Sequence, residues 1–383
     1  MKISKFIFYY FAATAILISI IGFFALADMI QWIVHFPEEF TFVVFGYRMP
    51  LMILGISTFI LSLYIGFKYK LVPKFILITY TLTFILLFVG GFIAPTYIMF
   101  KSQHYDARFV SIEKALEHLS ENEEALVLEI NGDARAYPHI WITQPHIAGD
   151  IVGGEDVVMT YCGLSHLGIA FKNNVDGNKM DLKVMTQLRN NLVMFDAKTQ
   201  EPIQQLNACY YNSGLEIDEI ASTVMPLRSF KKLYPLGKVF YAPSENFIDD
   251  MTRKMMFSAI YDEGGQFDEK NPEPSFPTIE YFDKRIPSKE RVFGVMINDD
   301  KVAYTLNYLI KNNNVVVDTV GGKVVTIKYF PEYEFVDVFY GDDVNVNHYG
   351  KDENGIKLNK VAHYNQILWI IWSNFYEDTK VRV

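Results

Sequence analysis

Three long runs without a charged residue constrain this chain more than any other feature of its sequence. They contain no Asp, Glu, Lys or Arg, and they cover Phe6–Ala27 (22 residues), Met49–Phe67 (19 residues) and Phe75–Phe100 (26 residues). A helix needs about 20 apolar residues to cross the roughly 30 Å hydrocarbon core of a bilayer. Because buried helices of water-soluble proteins rarely stay free of charge for so long, the runs predict a membrane anchor of three transmembrane helices over residues 1–100.

The lysines beside these runs predict the orientation of the anchor. Lys2 and Lys5 precede the first run, and residues 68–74, between the second and third runs, hold three more lysines. The other loop is net acidic, with Asp28, Glu38, Glu39 and Arg48. Basic loops stay in the cytoplasm, so we expect the N-terminus inside and residues 101–383 extracytoplasmic. Cleavage of a signal peptide after Ala25-Leu26-Ala27 is an alternative for the first run, and it would leave the rest of the chain on the same side.

The part of the chain after the anchor is acidic. The whole chain has a formal charge of −9, and residues 101–383 hold 29 basic and 41 acidic residues, a charge of −12. Because phosphate binding depends on basic surface, nucleic acid is not an expected partner. The expected partners are the lipid bilayer and a small molecule or envelope protein that the sequence does not identify. Both cysteines, Cys162 and Cys209, lie in this part, where an oxidising compartment would allow a disulfide.

Two short segments of this part recur in the same order. The sequence INGDARAY at residues 130–137 resembles INDDKVAY at residues 297–304, which lies 167 positions later. DIVGG at residues 150–154 resembles DTVGG at residues 318–322, 168 positions later. Two matches at nearly one offset predict an internal duplication.

Each copy has the pattern of a small β-rich unit. Alternating apolar residues flank the pairs Asn131-Gly132, Asn298-Asp299, Gly153-Gly154 and Gly321-Gly322, and such pairs favour two-residue hairpin turns. The acidic segment 262–275, rich in Gly and Pro, is typical of a linker or surface loop. The predicted fold is therefore an α-helical anchor followed by a duplicated α+β domain, with boundaries at 1–100, 101–260 and 261–383.

Three motifs resemble a known family. INGDARAYP (130–138), DIVGGEDVVMTYC (150–162) and NNLVMFDAKTQEPIQQL (190–206) are similar, in this order, to domain-of-unknown-function family 3179. The resemblance implies relatives among bacterial and archaeal envelope and exported proteins, and with them a bacterial cytoplasmic membrane as the location of the anchor, but it implies no reaction. Many members have a second cysteine shortly after the position of Cys162, where this chain has Ser165, so the resemblance does not imply a dithiol redox pair here.

The strongest candidate site combines four residues that can bind metals or transfer protons. His139, His146, Cys162 and His166 lie within 28 positions, although the chain has only eight histidines. Neutral imidazole and thiolate are natural ligands of copper or zinc. These four residues are the predicted metal ligands.

Two other interpretations of these residues remain open from the sequence. Cys162 could act as a nucleophile with His146 or His166 as its base and Asp150 as the orienting carboxylate. A Cys162–Cys209 disulfide in a structural envelope module is the second. The first hypothesis remains a membrane-anchored binding module for a ligand or metal, and the alternatives are a Cys/His-dependent or metal-dependent enzyme and a structural module.

Overall fold

The membrane part consists of three long apolar helices and one short helix. The computed structural model describes residues 2–27, 30–31, 33–34, 36–279 and 281–383, so Asp28 of the predicted acidic loop lies outside the described residues. The helices are α1 (Lys2–Leu26), α2 (Glu38–Gly46), α3 (Arg48–Lys68) and α4 (Lys74–Phe92). α1, α3 and α4 are long and apolar enough to cross a membrane, which confirms the predicted three-helix anchor.

Glycines allow α1 and α4 to pack closely. A methyl group at Gly91 would lie 2.5 Å from the backbone nitrogen of Phe23, and one at Gly22 would lie 2.3 Å from the Phe92 ring. Small residues at such crossings let two helix backbones approach each other inside a membrane. The two glycines therefore fix the point at which the first and last spans cross.

The third apolar run is not one continuous helix. α4 ends at Phe92, and a π-helical turn, Ala94–Met99, follows it. Pro95 has no backbone N–H and fixes its own backbone angle, so it cannot continue the preceding ladder of hydrogen bonds. Phe100, the last residue of the predicted span, is 2% exposed, and its ring contacts His146 of the following domain at a tilted angle with centroids 4.8 Å apart. The end of the apolar run therefore packs against protein.

The short helix α2 was not predicted from the sequence, and it joins the anchor to the rest of the chain. Phe45 packs edge to face on Phe195 with ring centroids 5.0 Å apart, and Phe42 contacts Tyr211. Nearby, the side chain of Gln31 donates to the backbone oxygen of Gln187 at 2.8 Å. These contacts hold the domain directly against the anchor.

The domain that follows is built from five small sheets and several short helices. Its first half contains β1 (Phe109–Ser111), α5 (Ile112–Leu116), β2 (Glu124–Ile130), β3 (Asp133–Pro138), α6 (His139–Ile142), β4 (Ile147–Val152), β5 (Glu155–Cys162), β6 (Leu167–Lys172), β7 (Leu182–Leu188), β8 (Asn191–Asp196), β9 (Pro202–Gln204), β10 (Cys209–Tyr210), β11 (Glu219–Ile220), β12 (Thr223–Pro226), α7 (Leu227–Leu233), β13 (Lys238–Phe240) and α8 (Phe247–Tyr261). Its second half contains β14 (Arg291–Ile297), β15 (Asp300–Thr305), α9 (Leu306–Lys311), β16 (Val315–Val320), β17 (Lys323–Phe330), β18 (Phe335–Tyr340), β19 (Tyr364–Leu368), α10 (Trp369–Phe375) and β20 (Lys380–Arg382). This composition confirms the predicted α+β, β-rich class.

One sheet of each half follows the same plan, although the first half has three sheets and the second half has two. In the first half the orders are β1-β13-β3-β2-β12, β11-β6-β5-β4 and β10-β9-β8-β7, and in the second half they are β19-β14-β15-β20 and β16-β17-β18. In each half a hairpin is flanked by one antiparallel strand and one parallel strand, and a helix connects these two flanking strands. Residues 367–376 near the C-terminus (ILWIIWSNFY) contribute to β19 and α10, and Trp369 and Trp372 are fully buried in the core. The predicted domain boundaries at residues 100 and 260 stay predictions.

The predicted hairpin turns are formed in both halves. Asn131 and Gly132 have φ angles of 51° and 83°, and Gly153 and Gly154 have 56° and 90°, values that fit two-residue turns. The two turns are joined by hydrogen bonds. The Asn131 amide donates to the Gly153 carbonyl at 2.9 Å, and the Gly153 N–H donates to Asp133 at 3.2 Å.

The second half repeats these contacts. Asn298 donates to the carbonyl of Gly321 at 2.9 Å, and the Gly321 N–H donates to Asp300 at 3.1 Å. The φ angles of Asn298, Asp299, Gly321 and Gly322 are all positive as well. The two halves therefore share local contacts as well as element order, and the duplication itself stays a prediction.

Candidate metal site

The first pair of site residues is placed by the register of one hairpin. β2 and β3 pair Ala125 with Pro138, so the next residue on each side, Glu124 and His139, are neighbours at the open end of the hairpin. Pro138 lacks an N–H and ends the strand, and His139 begins α6. Glu124 Oε2 lies 4.0 Å from His139 Nδ1.

The third site residue comes from a different sheet. β5 and β6 end with the pair Cys162 and Leu167, and His166 lies in the turn between them with a left-handed φ of 55°. A residue other than glycine in this conformation is uncommon, and such positions concentrate at functional sites. His166 Nε2 lies 3.5 Å from Glu124 Oε2. One potential ligand atom from each of Glu124, His139 and His166 lies within 4.8 Å of the other two, and we call these residues the Glu124–His139–His166 triad.

Tyr161 holds both imidazoles of the triad. Its ring stacks on His139 with centroids 4.5 Å apart, and its hydroxyl forms a hydrogen bond with His166 Nδ1 at 3.1 Å. Because Nδ1 of His166 is occupied, Nε2 is the nitrogen that faces Glu124. A side chain that orients an imidazole in this way is typical of the second layer around a bound metal.

The other side of the triad is covered by the second half of the chain. Arg291, the first residue of β14, places Nη1 3.0 Å from both carboxylate oxygens of Glu124. Phe267 packs edge to face on His166 with centroids 4.9 Å apart. Phe267 belongs to the segment predicted as a linker, so that segment closes the site as well as connecting the halves.

Burial sets the charges of the triad. It is the largest influence on both imidazoles, and it lowers the pKa of His139 and of His166, with the charge of Arg291 adding to the effect. Burial alone would raise the pKa of Glu124, but the neighbouring His166 and the charge of Arg291 hold that pKa well below its usual range. At neutral pH the triad therefore contains two neutral imidazoles and one carboxylate.

The triad borders a cleft of about 700 Å³. Glu124, with 35% of its side chain exposed, and His139 line the cleft, whereas His166 lies behind them and is 1% exposed. The cleft is also lined by Glu123, Arg228, Tyr261 and Arg291. Burial raises the pKa of Tyr261 to about 12, so this hydroxyl keeps its proton at neutral pH. A ligand in the cleft can reach the triad from one side only.

The triad can bind a divalent transition metal. Two ligand atoms that each lie about 2 Å from one ion can be at most about 4 Å apart. The separations of 3.5 Å and 4.0 Å from Glu124 reach this limit. All three ligand atoms lie within 4.8 Å of one another, so a small side-chain movement on metal binding brings them to one ion. The Nε2 atom of His166, which is the atom nearest Glu124, is buried and has no hydrogen-bond partner among the described residues. Two histidines and one carboxylate leave further coordination positions free, and the cleft provides space for them.

The structure divides the predicted site residues between two places. His139 and His166 belong to the triad, whereas His146 and Cys162 line a separate apolar cavity of about 210 Å³ beside the anchor. Asp150 is not near either group, because it pairs with Arg135 at 2.5 Å across the neighbouring strands.

The cysteine environment does not favour a thiolate. Cys162 is buried, and its thiol donates to the Asn190 carbonyl at 3.9 Å. Burial raises the pKa of the Cys162 thiol and lowers the pKa of His146 to about 4. His146 uses Nδ1 to bond the Tyr161 carbonyl at 2.8 Å. The predicted nucleophile, base and orienting carboxylate are therefore not assembled as one group.

The alternative prediction of a Cys162–Cys209 disulfide is wrong. Cys162 and Cys209 are both free thiols. The physical reason is their placement in different sheets, since Cys162 ends β5 beside β6 and Cys209 pairs with Gln204 of β9.

Sequence reasoning missed Glu124, Tyr161 and Arg291 as parts of the site. A signal for Glu124 was present, because counting outward from the Asn131-Gly132 turn places Glu124 opposite His139. Arg291 has a similar signal, since it lies 167 positions after Glu124, at the offset of the first pair of matching segments. Nothing in the sequence indicates that the ends of β2 and β14 meet.

A comparison with protein families finds a match over most of the chain. A family model described as "Protein of unknown function (DUF3179)" matches residues 104–379. No curated protein and no solved structure is significantly similar to the chain.

Proposed function

Because the chain belongs to the DUF3179 family, whose description assigns no activity, we propose from its geometry that it is a membrane-anchored metal-binding module. The Glu124–His139–His166 triad holds a divalent transition-metal ion, and the cleft admits a ligand to that ion. The single observation that carries the proposal is the convergence of two neutral, buried imidazoles on one carboxylate.

Zinc is the metal that this donor set fits best. Imidazole nitrogen and carboxylate oxygen are ordinary zinc ligands, whereas copper(I) prefers thiolate and thioether sulfur. No sulfur atom belongs to the triad, because Cys162 lies in the other cavity. The same separation leaves the Cys/His-dependent enzyme and the structural module with less support than the metal-binding module.

Metal analysis of the full-length protein in detergent tests this proposal. After incubation with Zn²⁺ and desalting, we expect about one ion per chain, and Glu124→Gln or His166→Ala should weaken binding by roughly tenfold or more because each removes a ligand. His146→Asn is the matched control, since it changes a buried histidine outside the triad and should leave the stoichiometry unchanged.

Two outcomes of that measurement would contradict the proposal. One is sub-stoichiometric zinc in all four proteins alike. The other is a loss in His146→Asn as large as the loss in His166→Ala. Thermal unfolding of each variant shows whether it is folded before its metal content is compared.

We also propose that the domain lies outside the cytoplasm in a bacterial cell envelope and that its two halves arose by duplication. The distribution of lysines beside the three apolar helices supports the orientation. The matched turns at Gly153 and Gly321, with the same side chains contacting each, support the duplication. On this proposal the triad belongs to the first copy, and the second copy contributes Arg291.

A further inference from the structure

The apolar cavity beside the anchor has no role in the proposed metal site. Its walls come from the ends of α1 and α4, from the π-helical turn and from the domain. Representative lining residues are Phe23, Gly90, Met99, His146, Cys162 and Ala259. The cavity therefore lies at the junction of the membrane helices and the domain.

We propose that this cavity binds the end of a hydrocarbon chain of a membrane lipid. Its volume of about 210 Å³ exceeds the roughly 150 Å³ that accommodates benzene in an engineered apolar cavity. By that comparison it accepts about eight carbon atoms, which is a segment of an acyl or isoprenyl chain and too small for a whole lipid.

The lining of the cavity supports an apolar occupant. Apolar residues form most of it, Phe, Met and Ala prominent among them. Thr186 and Gln187 are its polar members beside His146 and Cys162, and no described residue in its lining is charged. The thiol of Cys162 is protonated, because burial raises its pKa, and the imidazole of His146 is neutral for the same reason. A hydrocarbon chain that enters the cavity therefore does not displace water from a charged group.

The location of the cavity supports a lipid as the source of that chain. Ala27 directly follows α1, and Gly90 lies in the last turn of α4, so both walls are at the ends of membrane-spanning helices. The π-helical turn that follows α4 redirects the chain onto the domain and forms the side of the cavity with Ala94 and Pro95. A chain from the surrounding bilayer is the nearest apolar material at this level.

Photocrosslinking of the full-length protein in nanodiscs tests the inference. One sample contains a phospholipid with a diazirine near the end of an acyl chain, and a second contains a diazirine-bearing isoprenyl lipid. We expect crosslinks to cavity residues such as Met99 or Met256 with at least one of these lipids. The sample that labels these residues identifies the class of chain.

Cavity-filling variants make the test specific. Ala94→Phe should reduce crosslinking at cavity residues several-fold, because its ring occupies the space of the chain. Ala13→Phe, at an exposed position of α1, is the matched control and should leave that labelling unchanged. Ala259→Leu is the second filling variant, and it decides the test if Ala94→Phe does not fold.

The inference is overturned if crosslinks map only to the outer faces of the helices, or if the folded filling variants label like the control. Since the experiment uses protein without added metal, its result is independent of the triad.

Discussion

At the residue scale, the buried histidines occupy different chemical environments. His139 and His166 face one carboxylate, whereas His146 uses a ring nitrogen on a backbone carbonyl beside an apolar cavity. His104 is a further buried histidine whose Nδ1 accepts the backbone N–H of Leu182 at 3.2 Å. Histidine is therefore a candidate metal ligand at positions 139 and 166 and a hydrogen-bond partner of the backbone at positions 104 and 146.

His104 predicts a pH dependence of stability. Burial lowers its pKa from 6.5 to about 4 in the folded chain. Below pH 6.5 His104 binds a proton in the unfolded chain, whereas in the folded chain it binds one only below about pH 4. The free energy of unfolding therefore falls as the pH drops through this window. The contribution lost is roughly 3 kcal/mol at most.

The measurement compares unfolding of the wild type and His104→Gln in detergent from pH 7 to pH 4. Gln keeps an acceptor but does not titrate, so the variant should lose less stability over this range. Parallel pH profiles for the two proteins would refute the assignment to His104.

Particular residues show how far the sequence predicts the site. His139 and His166 were predicted as ligands from clustering alone, but clustering also included His146 and Cys162, which lie in another cavity. Sequence spacing does not distinguish them, because β5 places the side chains of successive residues on opposite faces. Tyr161 therefore contacts the triad, while its neighbour Cys162 lines the apolar cavity.

At the element scale, the turns were the most predictable features. The paired turn residues at Asn131 and Gly153, and at their counterparts Asn298 and Gly321, form hairpins because their positive φ angles are readily adopted by Asn and Gly. The short helix α2 was not predicted, since its apolar residues lie next to acidic ones in a loop between two membrane spans. Phe195 lies 150 positions after its partner Phe45, and Tyr211 lies 169 positions after its partner Phe42, so no local sequence pattern predicts these contacts.

The hairpin turns also predict that the two glycines of each pair differ in how much an alanine substitution destabilises the fold. A methyl group at Gly153 would lie 2.1 Å from the carbonyl oxygen of Ile130, whereas at Gly154 nothing lies within 4 Å. An alanine at either position has a left-handed backbone that costs about 1–2 kcal/mol, and Gly153→Ala adds a clash worth about 1–3 kcal/mol.

Thermal or denaturant unfolding in detergent measures this difference. Gly153→Ala should be less stable than its matched control Gly154→Ala by at least about 1 kcal/mol. Gly321 has the same 2.1 Å contact with Ile297, and Gly322 has none, so the second half should reproduce the order. Equal stability of the two variants of a pair would show that the first glycine of the turn does not pack against the neighbouring hairpin as described.

At the scale of the whole molecule, the proposed orientation predicts which thiol is labelled from outside a cell. Cys209 is partly exposed and free, whereas Cys162 is buried. A membrane-impermeant maleimide applied to intact cells should therefore label Cys209 slowly, since burial raises the pKa of its thiol, and should label Cys162 only after unfolding.

The matched control for this labelling is Lys70→Cys in a Cys209→Ser chain. Residue 70 is exposed in the loop between α3 and α4, and it should react only after the cells are opened. Labelling of residue 70 on intact cells, with Cys209 protected, would reverse the orientation.

The docking of α2 has a kinetic consequence for anything that binds the cleft. Phe42 and Phe45 hold the domain on the anchor by direct packing, so the cleft stays beside the membrane helices. A partner carried in the same membrane searches for the cleft by lateral diffusion in two dimensions, at a high effective concentration. A partner free in solution has no such advantage, so the geometry of one nine-residue helix sets which encounters are frequent.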